Sequence, residues 1–211
     1  MEFDFGLTAL GEKFHMDWRY DGPNPQDVVR QWAGLVGSDE AGLEELRLLR
    51  EDVHLLLASP LSDDEIHALW RVSAMFYPYF PVNEVEPPRG RAWLMDIDHE
   101  LRPYVQRSAA EFPTTGTAPE SARSAVVALA ERLAPRAELP LEPLSVRTVI
   151  AAVGRCAREV SAALAFRFLL RAYAAYDSPV PSDAWSSFEA LNHSFGYGEF
   201  VLETIAFLRE V

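Results

Sequence analysis

Two stretches of this chain hold side chains at spacings that could bind a metal. Glu51-Asp52-Val53-His54 sets a carboxylate and an imidazole three residues apart, on one face of a helix. A dinuclear carboxylate site needs that Glu-x-x-His pattern twice, with two further glutamates from other helices. The pattern occurs once, and Glu189 with His193 has a different spacing, so the reading is a solvated helix face with no metal. Asp96-x-Asp98-His99-Glu100 is equally dense in ligand types. On a helix, however, Asp96 and His99 share a face while Asp98 turns elsewhere. A polar face opposite Trp93, Ile97 and Leu101 accounts for it, with no calcium-loop or paired-histidine motif alongside.

Nucleophilic chemistry finds no better support. Cys156 lies inside a strongly apolar run, where a thiol packs as a small hydrophobe. There is no Gly-x-Ser-x-Gly elbow and no phosphate-cradling loop, and Gly196-Tyr197-Gly198 alone reads as a turn. With no complete constellation, the expectation is a non-enzymatic protein with no catalytic residue and no cofactor. Two other clusters stand out. Phe14-His15-Met16-Asp17-Trp18 is a compact amphipathic stretch, and Tyr77, Tyr79 and Phe80 stand beside Glu84 and Glu86. Those aromatics either fold back onto the core or form a binding edge, with aromatic anchors among carboxylates suited to a partner rich in Arg and Lys.

The elements that position these residues read as helices throughout, with no convincing period-two strand. Pro25 to Leu35 is a first short helix, with Val28, Val29 and Trp32 on one face. Ser38-Asp39-Glu40 opens a long helix to about Ala58, with Leu43, Leu46, Leu49, Val53 and Leu57 at helical spacing. Ser62-Asp63-Asp64-Glu65 is a capping box that starts a helix carrying Ile66, Leu69, Val72 and Phe76. Arg91 to about Val105 is helical, with Pro103 disturbing its last turn. Ser121 to Ala134, Val146 to about Tyr176, a helix containing Trp185, Phe188 and Leu191, and Glu199 to Val211 complete the series. The expected fold is all-α, a bundle of seven to eight helices in one or two packed units.

The chain carries a formal charge of −13 over 211 residues. Residues 1–111 hold 21 acidic against 10 basic side chains and residues 112–211 hold 11 against 9, so the acidity belongs to the first half. The turn-rich segment 112–119 coincides with that shift and divides an acidic 1–111 domain from a helical 112–211 domain. Such a charge argues against nucleic acid and anionic membrane as partners and favours a basic one, or else serves solubility. A single cysteine excludes an intramolecular disulfide. No signal segment opens the chain and no window approaches the ~18 apolar residues of a membrane span, so a cytoplasmic location is expected.

Phe14-His15-x-Asp17-Trp18 resembles the Phe-His-Gln-Asp-Trp opening of the contact-dependent growth inhibition (CdiI-type) immunity proteins. Gln26-Asp27-Val28-Val29 stands for that family's Glu-Glu-Val-Val element, followed by Trp32 and the Leu-rich helix Leu43 to Leu57. Leu61-Ser62-Asp63-Asp64-Glu65-Ile66 matches a Leu-Ser-Glu-Glu-Glu-Leu element, and Trp93-Leu94 the closing Trp-Leu helix. The likeness covers roughly residues 12–105. Met16 and the Tyr77 to Pro81 loop depart from it, and residues 112–211 have no counterpart in the short members. The resemblance implies an immunity protein that neutralises a cognate, basic toxin by laying an acidic surface over its active site. Asp63, Asp64, Tyr79, Glu84, Glu86, Asp96 and Asp98 are the expected partner-binding residues. Phe14, His15, Asp17 and Trp18 are expected to be structural, with both aromatics in the core. The other reading is a structural or adaptor protein that binds another protein through the aromatic loop.

Overall fold

The computed structural model describes residues 3–15, 17–20, 22, 24–76, 89–105, 118–136 and 144–210. Among them the chain is all-α, with ten helices: α1 (Gly6–Glu12), α2 (Pro25–Val36), α3 (Glu40–Leu57), α4 (Asp63–Ser73), α5 (Gly90–Val105), α6 (Glu120–Ala130), α7 (Val146–Glu159), α8 (Ala162–Ala175), α9 (Ser182–Ser194) and α10 (Glu203–Ala206). Short 3-10 turns at Trp18–Tyr20 and Glu199–Leu202 join them, and Val180 and Arg209 form an isolated bridge. None of the described helices is long and apolar enough to cross a membrane.

The helix number exceeds the expected seven to eight for two physical reasons. The apolar run from Val146 to Tyr176 is two helices: Val160 leaves helical geometry (φ −125°, ψ −78°), and the Ser161 hydroxyl caps α8 by accepting from the Leu164 N–H. The first helix, α1, has little local signal. Phe5 precedes it without a side-chain cap, and two glycines lower its intrinsic propensity. Tertiary contacts with α3, α4 and α8 hold it instead. The closing segment, expected as one helix, is a 3-10 turn followed by a single helical turn.

Elsewhere local signals decide the boundaries. The capping box at Ser62 is complete: its hydroxyl accepts from the Glu65 N–H, and Glu65 reaches back to the Ser62 N–H at 2.7 Å. Asn24 and Asp39 cap α2 and α3 one way only, their side chains accepting from the Asp27 and Gly42 N–H groups. α4 stops at Ser73, because Met75 and Phe76 adopt left-handed backbone (φ 51° and 57°). Phe76 still reaches the core, edge-on to Tyr176 at 4.9 Å.

α3 packs against α1, α2 and α5, while α6, α7, α8 and α9 form a second set of neighbours. α4 touches both groups, contacting α1 and α5 on one side and α7 and α8 on the other. Buried side chains from both halves join one hydrophobic cluster, from Leu7 to Leu208. Of the expected division at 112–119, residues 112–117 lie outside the described residues.

Candidate functional site

Of the Phe14 to Trp18 signature, the two aromatics are buried, while His15 and Asp17 are exposed. Phe14 and Trp18 are 2% and 1% exposed, as an apolar signature requires. The Phe14 ring lies 5.2 Å from Trp70 and 5.7 Å from Trp93, both nearly edge-on, and 5.7 Å from Trp18. Trp70 and Trp93 meet each other at 5.4 Å. The turn between the two signature aromatics is held locally, the Asp17 N–H donating to His15 Nδ1 at 3.1 Å. The segment is a structural clasp in which α1, the 3-10 turn, α4 and α5 meet.

The four described acidic residues named from the sequence, Asp63, Asp64, Asp96 and Asp98, do not share one setting. Asp63 and Asp64 share the first turn of α4 and are well exposed, their side chains 65% and 92% accessible. The start of α5 lies against them. Gly90 adopts φ 54°, and a Cβ there would meet the Asp63 backbone, so this close approach requires glycine. That junction also brings two cations: Arg91 bonds Asp63 at 2.9 Å and the Ser59 and Leu61 carbonyls, and Arg89 lies 3.9 Å from Asp64. His67, one turn along α4, is pushed down to about 4 by burial and by Arg89 and Arg71. Asp96 faces α2, where it accepts from the Gln26 amide at 2.7 Å.

Asp98 is displaced from the expected surface. Only 6% of the residue is exposed, and its carboxylate accepts from Arg50 at 2.8 Å and Arg102 at 2.9 Å, with His54 Nε2 at 2.8 Å. It ties α3 to α5 and is not a free contact for a partner. Burial alone would raise its pKa, but the hydrogen bonds from Arg50, His54 and Arg102 outweigh it and hold the carboxyl at about 2. The stability this contributes is complete above the ordinary carboxyl pKa and is lost as the pH falls through about 4 to 2. The difference from an ordinary carboxyl corresponds to about 2 kcal/mol. Asp98→Asn is therefore expected to flatten that acid limb in urea unfolding followed from pH 6 to 2; an unchanged slope would remove Asp98 from this role. Tyr79, Glu84 and Glu86 lie outside the described residues.

The Glu51 to His54 stretch is not the solvated face the spacing suggests. Asp52 is 4% exposed and lies at the centre of a buried ionic cluster. Its Oδ1 accepts from Arg167 at 2.6 Å and its Oδ2 from the Leu7 N–H at 2.9 Å, at the start of α1. Arg167 also donates to the Phe5 carbonyl at 2.6 Å and stacks over the Phe5 ring at 4.2 Å. Burial opposes its charge, yet attraction to Asp52, then to Tyr197, holds its pKa above the ordinary arginine value. One turn on, Arg171 pairs with Asp4 and Glu12. Gly6 (φ 64°) permits the approach, since any Cβ would collide with the Asp52 carboxylate.

Sequence reading missed this cluster, although Arg167 and Arg171 inside an apolar run were its signal: charged residues among apolar ones require partners. Cys156 is fully buried, and burial pushes its thiol up to about 12, so at neutral pH it packs as an uncharged side chain. A cavity of about 570 Å³ opens beside the start of α8 and is lined by Arg123, Arg158, Ser161 and Phe195 among others. Comparison with protein-family models, with characterised proteins and with solved structures finds no match for this chain.

Proposed function

We propose that this chain is an immunity-type binding protein that neutralises a basic toxin by occluding its active site, without catalysing a reaction of its own. The observation that carries the reading is the meeting, in one core, of the elements that resemble the CdiI-type family. Phe14 and Trp18, then Val28, Val29 and Trp32, then Leu46 and Leu49, then Ile66 and Leu69, and finally Trp93 and Leu94 all join the same buried cluster. An excess of carboxylates in the same half of the chain supports a basic partner, because complementary charge speeds encounter and rejects acidic competitors.

Asp63 and Asp64 keep their place in the proposed contact surface, with Glu84, Glu86 and Tyr79 as further members from the sequence. Asp96 and Asp98 leave it, since their carboxylates are engaged by α2, α3 and α5. The direct test is to look for a toxin domain encoded beside this chain and to measure binding to it, together with rescue of cells that express it. Asp64→Lys combined with Glu84→Lys and Glu86→Lys is expected to slow association with the toxin at least tenfold at low salt, while dissociation changes little. An association rate equal to that of the native chain would overturn the electrostatic mechanism. Absence of any binding to the neighbouring toxin would overturn the immunity reading itself.

A further inference from the structure

The turn from α3 into α4 lies within the element Leu61 to Ile66 of the resemblance, and it presents the exposed carboxylates of Asp63 and Asp64. Two arginines grip this turn, one from each half of the chain. Arg91, at the start of α5, donates to the Ser59 carbonyl at 2.8 Å, the Leu61 carbonyl at 2.6 Å and Asp63 at 2.9 Å. Arg155, on α7, donates from Nη1 to both Glu65 oxygens at 2.7 and 3.0 Å, and from Nη2 to the Pro60 carbonyl at 3.2 Å. Three successive carbonyls, Ser59, Pro60 and Leu61, are thus bonded to guanidinium groups rather than to other backbone.

Arg155 is itself held. Glu159, one turn further along α7, accepts from its Nε at 3.0 Å and from its Nη2 at 2.7 Å, so the guanidinium is oriented by its own helix as it reaches α4. Glu65, its partner, is the residue that closes the capping box. The same Glu65 oxygen accepts from the Ser62 N–H and from Arg155, each at 2.7 Å. A rigid, planar guanidinium whose three nitrogens all bond acceptors, on two elements, is left with one orientation. The link spans 90 residues of sequence and joins the second half to the start of α4.

We propose that Arg155 is a positioning residue, through which the second half of the chain fixes the acidic first turn of α4, so that Asp63 and Asp64 meet a basic partner already in place. This gives a role to a half that has no counterpart in the resemblance, and it rests on the toxin-binding reading for the partner alone. A turn held before encounter loses less conformational freedom on binding, which favours slow dissociation. Charge by itself predicts the opposite sign. Removing a cation beside an acidic surface lets a basic partner arrive faster, whereas removing a positioning residue lets it leave faster.

The test compares full-length Arg155→Gln with Arg132→Gln, a control whose partner Asp183 lies within the second half. The reporters are the amides of Glu65 and Ile66, which bond the Ser62 hydroxyl and carbonyl. Their hydrogen exchange is expected to quicken about tenfold in Arg155→Gln, while the Leu49 and Ile97 amides change no more than in the control. Dissociation from the toxin domain encoded beside the chain is expected to quicken about fivefold. Unchanged exchange at Glu65 and Ile66, or an equal acceleration at Leu49 and Ile97, overturns the positioning role whether or not a toxin is found. A loosened turn with native dissociation overturns it as well, because the grip then serves stability alone. If the native chain binds no toxin, it is the immunity reading that fails, and the exchange comparison still decides whether Arg155 fixes the turn.

Discussion

Asp52→Ala is expected to lower the unfolding free energy by about 3–5 kcal/mol, a large share of the 5–15 kcal/mol typical of a folded domain. The substitution leaves Arg167 charged, 3% exposed and without its carboxylate, and it also strips the Leu7 N–H of its acceptor. A buried charge with no counter-ion costs far more than the intact pair contributes, since both groups were desolvated to make it. The sharper comparison is the paired replacement Asp52→Leu with Arg167→Met. Removing both charges together is expected to recover most of the loss. Urea midpoints for the single and double variants measure this, with the exposed Asp63→Ala as a control expected to cost less than about 1 kcal/mol. Equal losses in the single and paired variants would show that packing, and not stranded charge, governs the site.

Phe14→Ala is expected to cost about 3–5 kcal/mol as well, by a different route. The ring touches Trp18, Trp70 and Trp93, and each edge-on or tilted aromatic contact adds to the area it buries. Its loss opens a cavity among large rigid side chains that collapse poorly, which places the effect toward the upper end of that range. Tryptophan fluorescence is the natural readout, because three of the five indoles border the gap. A cost below about 1 kcal/mol would mean that the signature is not structural. His15→Ala, which removes one local hydrogen bond on an exposed turn, serves as the mild neighbour for comparison.

How much of this was legible depended on how local the cause was. The start of α4 could be read because Ser62 and Glu65 satisfy each other's backbone within four residues. The break between α7 and α8 could not. Ser161 looks like any interior serine until the chain turns at Val160, and apolar residues flank it on both sides. The core status of Phe14 and Trp18 followed from residue type, whereas their partners Trp70 and Trp93 came from distant helices. Carboxylates were hardest. Asp63 and Asp98 look alike in a sequence, but one sits in an exposed first turn and the other faces Arg50 across a helix interface. A hydrophobic period says which side of a helix is buried, and says little about a charge whose counter-charge lies on another element. The same limit hid Asp52, whose partner is 115 residues away.

That distance sets an order of events. Phe5 and Arg167 are 162 residues apart, and Asp4 and Arg171 are 167 apart. At a synthesis rate of about 5–20 residues per second, the first segment leaves the ribosome roughly ten to thirty seconds before its arginine partners exist. During that interval the Asp52 carboxylate lacks Arg167 and stays solvated by water, so α1 cannot settle onto α3 in its final form. The contacts that Asp4, Phe5 and Asp52 make with Arg167 and Arg171 thus cannot close before α8 has been made. A nascent chain stalled before Arg167 is expected to keep its first helix open to protease, whatever the state of the helices that follow it.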